Sequence, residues 1–583
     1  MKSILVKKRL YKRIIPLLCL LLFPTFLFAQ KLTVNGQVKD TQGEPVTGAN
    51  VAIKGTTTGT ITDLDGMFSI PDVEQGSIIE ISFIGYLAQS VKASDNNPLS
   101  IILKEDNQAL DEVVVIGYGV QKKSVVTASI ARVSADDLST TAPVRVDNAL
   151  KGLASGVQVT TTNGQPGSEA KIRIRGIGTI NNSDPLYIID GMAIDGGIDY
   201  LNPNDIASIE VLKDAASGAV YGARAANGVV LVTTKSGKEG KVKVTYDFSY
   251  GWQRPWKERE LLNGTQYATL MNEASNYAGE GNMYENPGQY GTGTNWQKET
   301  FNYDAPVQNH QVSVSGATEK INYFLSLGYY NQEGIVGGDY DRSNYKRLTL
   351  RSNSTYTMFD ESKKRNWLNK MVVGVNAAYS RIKNSGIEAN SLTGSALGNA
   401  MFLSPLMGVY ADDEEALYKQ YADEIKQYGN LVRDKKNGRL VTIPGKDFNE
   451  ISNPLGYLSL PGEVNNSDKF VANFFAELTL WDNLKFKTSY GADLAFWGKD
   501  GWSKAYYLAV NSHNDKSKVW SEMNRGCTWQ LENILTYDKT FGSHSFAVVL
   551  GQSAKKYTGR KIGGSAYDMI AELEDKANLD FTS

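Results

Sequence analysis

From Lys241 onward, apolar side chains recur at every second position. Val242, Val244, Tyr246, Phe248, Tyr250 and Trp252 alternate with Lys243, Thr245, Asp247, Ser249 and Gly251. Ile321, Tyr323, Leu325, Leu327 and Tyr329 repeat the pattern, interrupted only by Phe324. A period of two is that of a strand with one apolar face. Gln311–Ser315, Tyr345–Tyr356, Met371–Tyr379, Phe470–Leu480, Leu484–Leu494, Cys527–Tyr537 and Phe546–Leu550 follow it less cleanly, so nine strands are predicted. Some are joined tightly, as at Trp481-Asp482-Asn483, and others by long excursions, notably Arg381–Lys469. A soluble sandwich also alternates, but short turns on one side, long loops on the other and an aromatic-rich face point to an outer-membrane β-barrel. In lipid every backbone N–H and C=O must be paired within the sheet, so a spanning sheet must close on itself. Nine strands neither close a wide barrel nor make the even number usual in bacterial single-chain barrels. The chain therefore reads as the N-terminal part of a longer protein.

Before Lys241 the pattern is of two other kinds. Lys31–Lys104 holds short strands around Val34–Val38, Val51–Ile53, Phe68–Ile70, Ile78–Ile84 and Leu99–Leu103, with turns at Gly43-Glu44-Pro45 and Asp65-Gly66. That spacing predicts a small β-sandwich. Asp63 and Asp65 lack the remainder of a calcium-loop pattern and read as turn residues. The polar stretch Glu105–Leu110 is a linker, and Lys122–Lys235 mixes periodicities. Val144–Leu153 and Asp214–Tyr221 read as helices; Ile172–Arg175, Leu186–Asp190, Ile206–Leu212 and Gly228–Thr234 read as strands. This is a mixed α/β domain. Alternation along Ile172-Arg173-Ile174-Arg175 places both arginines on one face.

The first 29 residues carry six cations, then the apolar run Ile14–Phe28 and Ala29. That is the pattern of a secretory signal peptide cut after Ala29. The run is short for a membrane anchor and contains Pro16 and Pro24. Without those six cations the net charge moves from −2 to −8, which does not favour nucleic acid. Cys19 leaves with the leader, so Cys527 has no internal disulfide partner. Three histidines in 583 residues give neither a zinc constellation nor a defensible Ser-His-Asp spacing. No cofactor, metal site or enzymatic activity is expected.

One segment lies between the two N-terminal domains and belongs to neither pattern. Asp111-Glu112-Val113-Val114-Val115-Ile116-Gly117-Tyr118-Gly119 has an acidic lead, four consecutive β-branched residues and a glycine-flanked tyrosine. It reads either as one more strand of a neighbouring domain or as an extended segment offering its backbone to a partner's sheet edge. These residues resemble the TonB box of the SusC/RagA-type TonB-dependent outer-membrane transporters. Ile172-Arg173-Ile174-Arg175-Gly176 and Pro185-Leu186-Tyr187-Ile188-Ile189-Asp190-Gly191 resemble that family's plug signature, with Arg173, Arg175, Gly176, Tyr187, Asp190 and Gly191 as its marked positions. Ile206–Ser217 and Tyr221–Gly228 are similar to the end of the plug, and residues 31–104 to the carboxypeptidase-regulatory-like extension at the front of such chains.

The resemblance implies a mainly β protein divided into a signal peptide (1–29), a carboxypeptidase-regulatory-like β-sandwich (30–104), a linker with the box (105–121), an α/β plug (122–236) and the first part of an antiparallel transmembrane β-barrel (237–583). The whole barrel would have about 22 strands. It implies TonB-energised import of oligosaccharides or oligopeptides across the outer membrane, with a SusD-like surface lipoprotein as lid and a periplasmic N-terminal domain. Arg173 and Arg175 are then either solvated strand charges or members of plug-internal salt bridges, or else partners of acidic residues on the barrel wall. Trp252 and Trp256 read as interface-girdle or barrel-face residues rather than sugar-stacking platforms. The competing function is a surface barrel that binds ligand or adheres without transport.

Overall fold

The computed structural model describes residues 31–582 apart from 42, 55, 57, 84–85, 94–97, 105–112, 117–118, 123–128, 142–144, 215–217, 361–366, 446–447, 449, 482 and 543. The leader, residues 1–29, lies outside these. The first unit contains β1 (Lys31–Lys39), β2 (Asn50–Ile53), β3 (Gly59–Ile61), β4 (Met67–Glu74), β5 (Ile78–Ser82), β6 (Gln89–Lys92) and β7 (Leu99–Ile102). They form a three-stranded sheet, β4-β1-β7, and a four-stranded sheet, β3-β2-β5-β6. Val34, Val38 and Ile70 from one sheet meet Val51, Ile79 and Ile81 from the other in one core, each at most 1% exposed. The Asp63 carboxylate accepts the backbone N–H groups of Asp65 and Met67, as a turn residue does.

Next come β8 (Val113–Ile116) and β9 (Gly119–Lys122), a two-stranded sheet of their own. The α/β domain follows with β10 (Ile130–Ser134), β11 (Val157–Thr161), β12 (Ala170–Ile174), β13 (Leu186–Ile189), β14 (Met192–Ile194), β15 (Ile206–Leu212) and β16 (Val229–Thr234). Five of these form the sheet β10-β15-β16-β13-β14, and β11-β12 is a separate hairpin. The core includes Val133, Ile172, Ile209, Val211, Val230 and Val232. The helix predicted over Val144–Leu153 is confined to Val146–Ala149. Of the helix predicted over Asp214–Tyr221, residues 215–217 lie outside the described residues, and Ala219–Ala225 is a 3-10 turn broken by Gly222 at φ 63°.

The remaining strands are β17 (Lys243–Gln253), β18 (Ala305–Ala317), β19 (Ile321–Glu333), β20 (Asn344–Phe359), β21 (Leu368–Ser385), β22 (Glu463–Leu480), β23 (Leu484–Ser503), β24 (Tyr506–Ala509), β25 (Ser512–Asn514), β26 (Lys518–Phe541) and β27 (His544–Tyr567). All but the short β24-β25 hairpin form one nine-stranded antiparallel sheet, β17-β18-β19-β20-β21-β22-β23-β26-β27, at the nine predicted places. Burial along this wall is inverted. On β20, Leu348 and Leu350 are 39% and 52% exposed, whereas Arg347, Thr349, Arg351 and Asn353 are buried. An apolar outer face over a polar inner face is the pattern of a barrel wall against lipid. Phe324, which interrupts the alternation of β19, is buried on the inner side. Short turns such as 318–320 join the strands at one end. At the other, the excursion 386–462 folds with helices Ala396–Phe402, Glu414–Gln420, Ala422–Tyr428 and Pro454–Ser459.

Candidate functional site

The extended segment predicted from its β-branched run is a strand. Val113–Ile116 pairs with Gly119–Lys122 and lies outside the five-stranded sheet of the α/β domain. Four β-branched residues in a row favour this geometry because their χ1 angles are restricted. Among the described residues no other strand covers the free edge of Val113–Ile116. Such an edge presents unpaired N–H and C=O groups to an added strand. Gly119 opens β9; Asp111, Glu112, Gly117 and Tyr118 lie outside the described residues.

Among the described residues, the arginines of the signature pair within the α/β domain. Arg173 Nη1 donates to Asp184 at 2.5 Å and to the Ile172 carbonyl at 2.8 Å. Arg175 pairs with Asp214 at 2.5 Å. Both partners belong to the α/β domain, so the reading in which these charges reach the wall is corrected to the domain-internal one. The shared face also fails, for a backbone reason. β12 ends at Ile174, and Arg175 takes φ 55°, followed by Gly176 at φ 97°, so alternation stops one residue before the second arginine. The Asp214 carboxyl is held below its ordinary range, first by the Ser129 N–H and also by the Arg175 charge.

Tyr187 on β13 is buried, and that burial raises its phenol above the ordinary range. The strand then turns through Asp190 and Gly191, at φ 48° and 85°, into β14. Two central residues with positive φ form a type I′ turn, the reason for Asp-Gly here. Within this turn Asp190 does a second task. Its carboxylate accepts the Thr234 N–H at 2.9 Å and the Thr234 hydroxyl at 2.8 Å. It is also ion-paired with Arg351, which reaches in from β20. Arg351 Nη2 donates to Thr234 Oγ1 as well, at 2.6 Å, and Asn353 Nδ2 donates to the Lys235 carbonyl at 3.2 Å. The side chains of Arg351 and Asp190 are 4% and 9% exposed, so this is a buried clasp between the α/β domain and the wall.

Further polar contacts tie the α/β domain, and the residue that follows it, to the wall and its long excursion. The buried Asp205 accepts a hydrogen bond from Gln311 Nε2 of β18 at 2.5 Å, and burial raises its carboxyl above the ordinary range. Asp195 pairs with Lys555 of β27 at 2.5 Å. Gln165 Nε2 donates to the Ile387 carbonyl at 2.7 Å, and the Ile387 N–H donates back to Gln165 Oε1 at 2.9 Å. Gly237 and Asn322 make a similar reciprocal pair at 2.8 Å. Residue patterning had drawn attention to none of Arg351, Asp205, Gln311 or Gln165. A signal existed for the first: Arg347, Thr349, Arg351 and Asn353 are the alternate positions to Leu348 and Leu350, hence one polar face.

This geometry describes a folded insert seated against the inner, polar face of a sheet whose outer face is apolar. Among the described residues no group of three or more His, Cys, Asp or Glu side chains is placed to hold a metal ion. Comparison with known proteins agrees with the architecture. Residues 122–229 match the TonB-dependent receptor plug domain, and residues 34–115 match the CarboxypepD_reg-like domain. The chain is similar to the TonB-dependent receptor SusC of Bacteroides thetaiotaomicron, with 35% identity over 539 residues, covering 90% of this chain and 50% of that protein. It is 30% identical over 569 residues to the TonB-dependent receptor P3 of Formosa agariphila, covering 96% of this chain and 51% of that one. Its fold is similar to the RagAB peptide importer in its open-open state, with a TM-score of 0.65 at 24% identity over 81% of this chain and 52% of that one. The chain spans about half the length of the curated relatives it matches.

Proposed function

Because the chain belongs to the SusC/RagA family of TonB-dependent receptors, we propose that the protein it represents imports a nutrient across the outer membrane. Energy comes from TonB pulling on the box Asp111–Gly119. An inner membrane stores about 2.3 kcal/mol per charge per 100 mV, whereas a porous outer membrane holds little potential of its own. In this reading residues 1–29 are the signal peptide, 30–104 the periplasmic extension, 105–121 the linker, 122–236 the plug and 237–583 part of the multi-pass barrel. The solute is an oligosaccharide or an oligopeptide. RagAB, whose fold is similar, is a peptide importer, so the oligopeptide is the first to test. A SusD-like lipoprotein acts as the surface lid.

The observation that supports this reading is the placement of Val113–Ile116: extended, outside the five-stranded sheet and, among the described residues, with one edge free. A segment woven into that sheet would have to unfold it before offering itself to a motor. Deleting Val113–Ile116 from the full-length protein is expected to abolish uptake of the labelled nutrient while surface binding persists. Undiminished uptake would instead favour the surface-binding reading, since an adhesin needs no box.

A further inference from the structure

On the outer face of the wall, the apolar belt of β26 and β27 ends in cations. Along β26 the outward positions run Tyr537, Leu535, Asn533, Leu531, Trp529 and Cys527, and along β27 they run Phe546, Val548, Leu550, Gln552 and Ala554. Asn533 Nδ2 donates to Gln552 Oε1 at 2.7 Å, so the two amides inside the belt bond to each other. A spanning strand needs about 9–11 residues, and both runs fill that length. The next outward residues toward the long loops are Arg525 on β26 and Lys556 on β27, with Arg560 beyond Lys556. Trp529 stands opposite Lys556, and Phe496 of β23 opposite Arg525. Aromatic residues of this kind ring a barrel at the membrane interface, and long loops mark its extracellular side. The three cations therefore lie at the headgroup level of the outer leaflet.

Arg525 and Arg560 are direct cross-strand partners, and like charges so placed repel. Carboxylates that could balance them are turned away or engaged elsewhere. β27 itself contains no acidic residue. Glu522, Glu532 and Asp538 of β26 occupy the even positions, which face inward with Asn524, Thr528 and Gln530. On β23, Asp493 also faces inward, paired with Lys469 at 3.4 Å. The outward Asp500 stands opposite Ser521, nearer the loops, and accepts from Ser521 and Asn466. Beyond Phe496, Asp468 of β22 accepts the Tyr379 hydroxyl at 2.5 Å and pairs with Arg381 at 3.9 Å. The segment after β27 meets the wall at Gly564, again nearer the loops, and its Glu572 and Glu574 line a cavity with Asp500. Among the described residues, the side chains of Arg525, Arg560 and Lys556 make neither an ion pair nor a hydrogen bond.

We propose that Arg525 and Arg560, with Lys556 at the edge of the belt, bind the phosphate of an outer-leaflet lipid headgroup. An anion between the two guanidinium groups turns their repulsion into attraction. Each guanidinium offers a planar fork that matches phosphate oxygens, and such charge-assisted hydrogen bonds are about twice as strong as neutral ones. The occupant is a lipid because the cations continue the apolar belt. Acyl chains lie against Trp529, Leu531 and Leu550, and the phosphate they carry is then held beside the arginines. The inference rests on the wall facing lipid and is independent of what crosses the lumen.

Native mass spectrometry of the detergent-purified full-length protein, titrated with phosphatidic acid or phosphatidylcholine of the same acyl chains, tests this. Phosphatidic acid is expected to bind about tenfold tighter, since each cation near a headgroup contributes several-fold. Changing both Arg525→Gln and Arg560→Gln should reduce the preference to about threefold or less, and Arg525→Lys with Arg560→Lys should keep most of it, because charge persists while the fork is lost. Lys561→Gln is the control: Lys561 adjoins Arg560 in sequence but faces inward, paired with Glu522 at 2.7 Å, and its loss should leave the preference unchanged. Equal binding of the two lipids would overturn the proposal and leave the arginines to an acidic protein partner. A preference that the double Gln variant retains, or that Lys561→Gln removes equally, would also overturn it. So would its loss in millimolar inorganic phosphate at constant ionic strength, which would assign the site to a free anion.

Discussion

The N-terminal sandwich and the nine-stranded wall are both built from strands of period two, yet they bury opposite residues. In the sandwich Val51, Ile79 and Ile81 are hidden, each with no exposed surface. In the wall Leu327 and Leu350 stand 51% and 52% exposed, while Arg347 and Arg351 are hidden. Alternation therefore states that a strand has two unlike faces and is silent on which one faces inward. What decides is the medium outside: water drives apolar faces together, whereas hydrocarbon accepts them and leaves the polar face for the lumen.

The sharpest break in this comparison falls between two adjacent residues. Arg351→Ala leaves the buried Asp190 carboxylate without its cation, and truncating one partner of a buried pair costs about 3–5 kcal/mol. The expected result is a lowered urea midpoint for the α/β domain in the full-length protein reconstituted in lipid. A double change to Asp190→Asn with Arg351→Met should recover part of the loss. One residue earlier, on the outer face, Leu350→Arg places a charge against lipid at a cost of about 2–4 kcal/mol near the membrane midplane. The sandwich supplies its control, since Leu64 is 82% exposed and Leu64→Arg should change stability by no more than about 0.5 kcal/mol. Equal, small effects of Leu350→Arg and Leu64→Arg on refolding into vesicles would contradict a lipid-facing wall.

The smallest expected effect concerns Glu210 of β15. Burial raises its carboxyl above the ordinary 4.5, while Arg132, at 3.4 Å, opposes the shift. The folded state then keeps its proton at a pH where the unfolded chain has lost it. Stability contributed by this group is highest in acid and falls as pH rises from the ordinary value to the raised one. Urea midpoints followed across that window should show a decline that Glu210→Gln flattens. A steeper decline in the variant would contradict the direction.

Most of the strand wall was legible because lipid leaves strong marks: Val242–Trp252 and Ile321–Tyr329 needed only counting. The Asp190-Gly191 turn was legible too, since few residues accept positive φ in succession. The partners of Arg173 and Arg175 were not. Strand alternation placed them together, but the chain departs from the strand at Arg175, and each charge found a nearer carboxylate, Asp184 and Asp214. The clasp was hidden for another reason: Asp190 and Arg351 are 161 residues apart, and local pattern carries no information on which inner-face side chain opposes which turn.

The amino-acid sequence by itself determined what is local: the strands and their two faces, the turn chemistry of Asp190-Gly191, and the extended character of Val113–Ile116, because dihedral preference and periodicity act between near neighbours. Tertiary structure alone decided which polar groups would be taken out of water together. Gln165 with Ile387, Asp205 with Gln311 and Asp190 with Arg351 each join distant parts of the chain. A buried polar group must find its partner wherever the fold brings one within reach, and that meeting is a property of the assembled wall and insert.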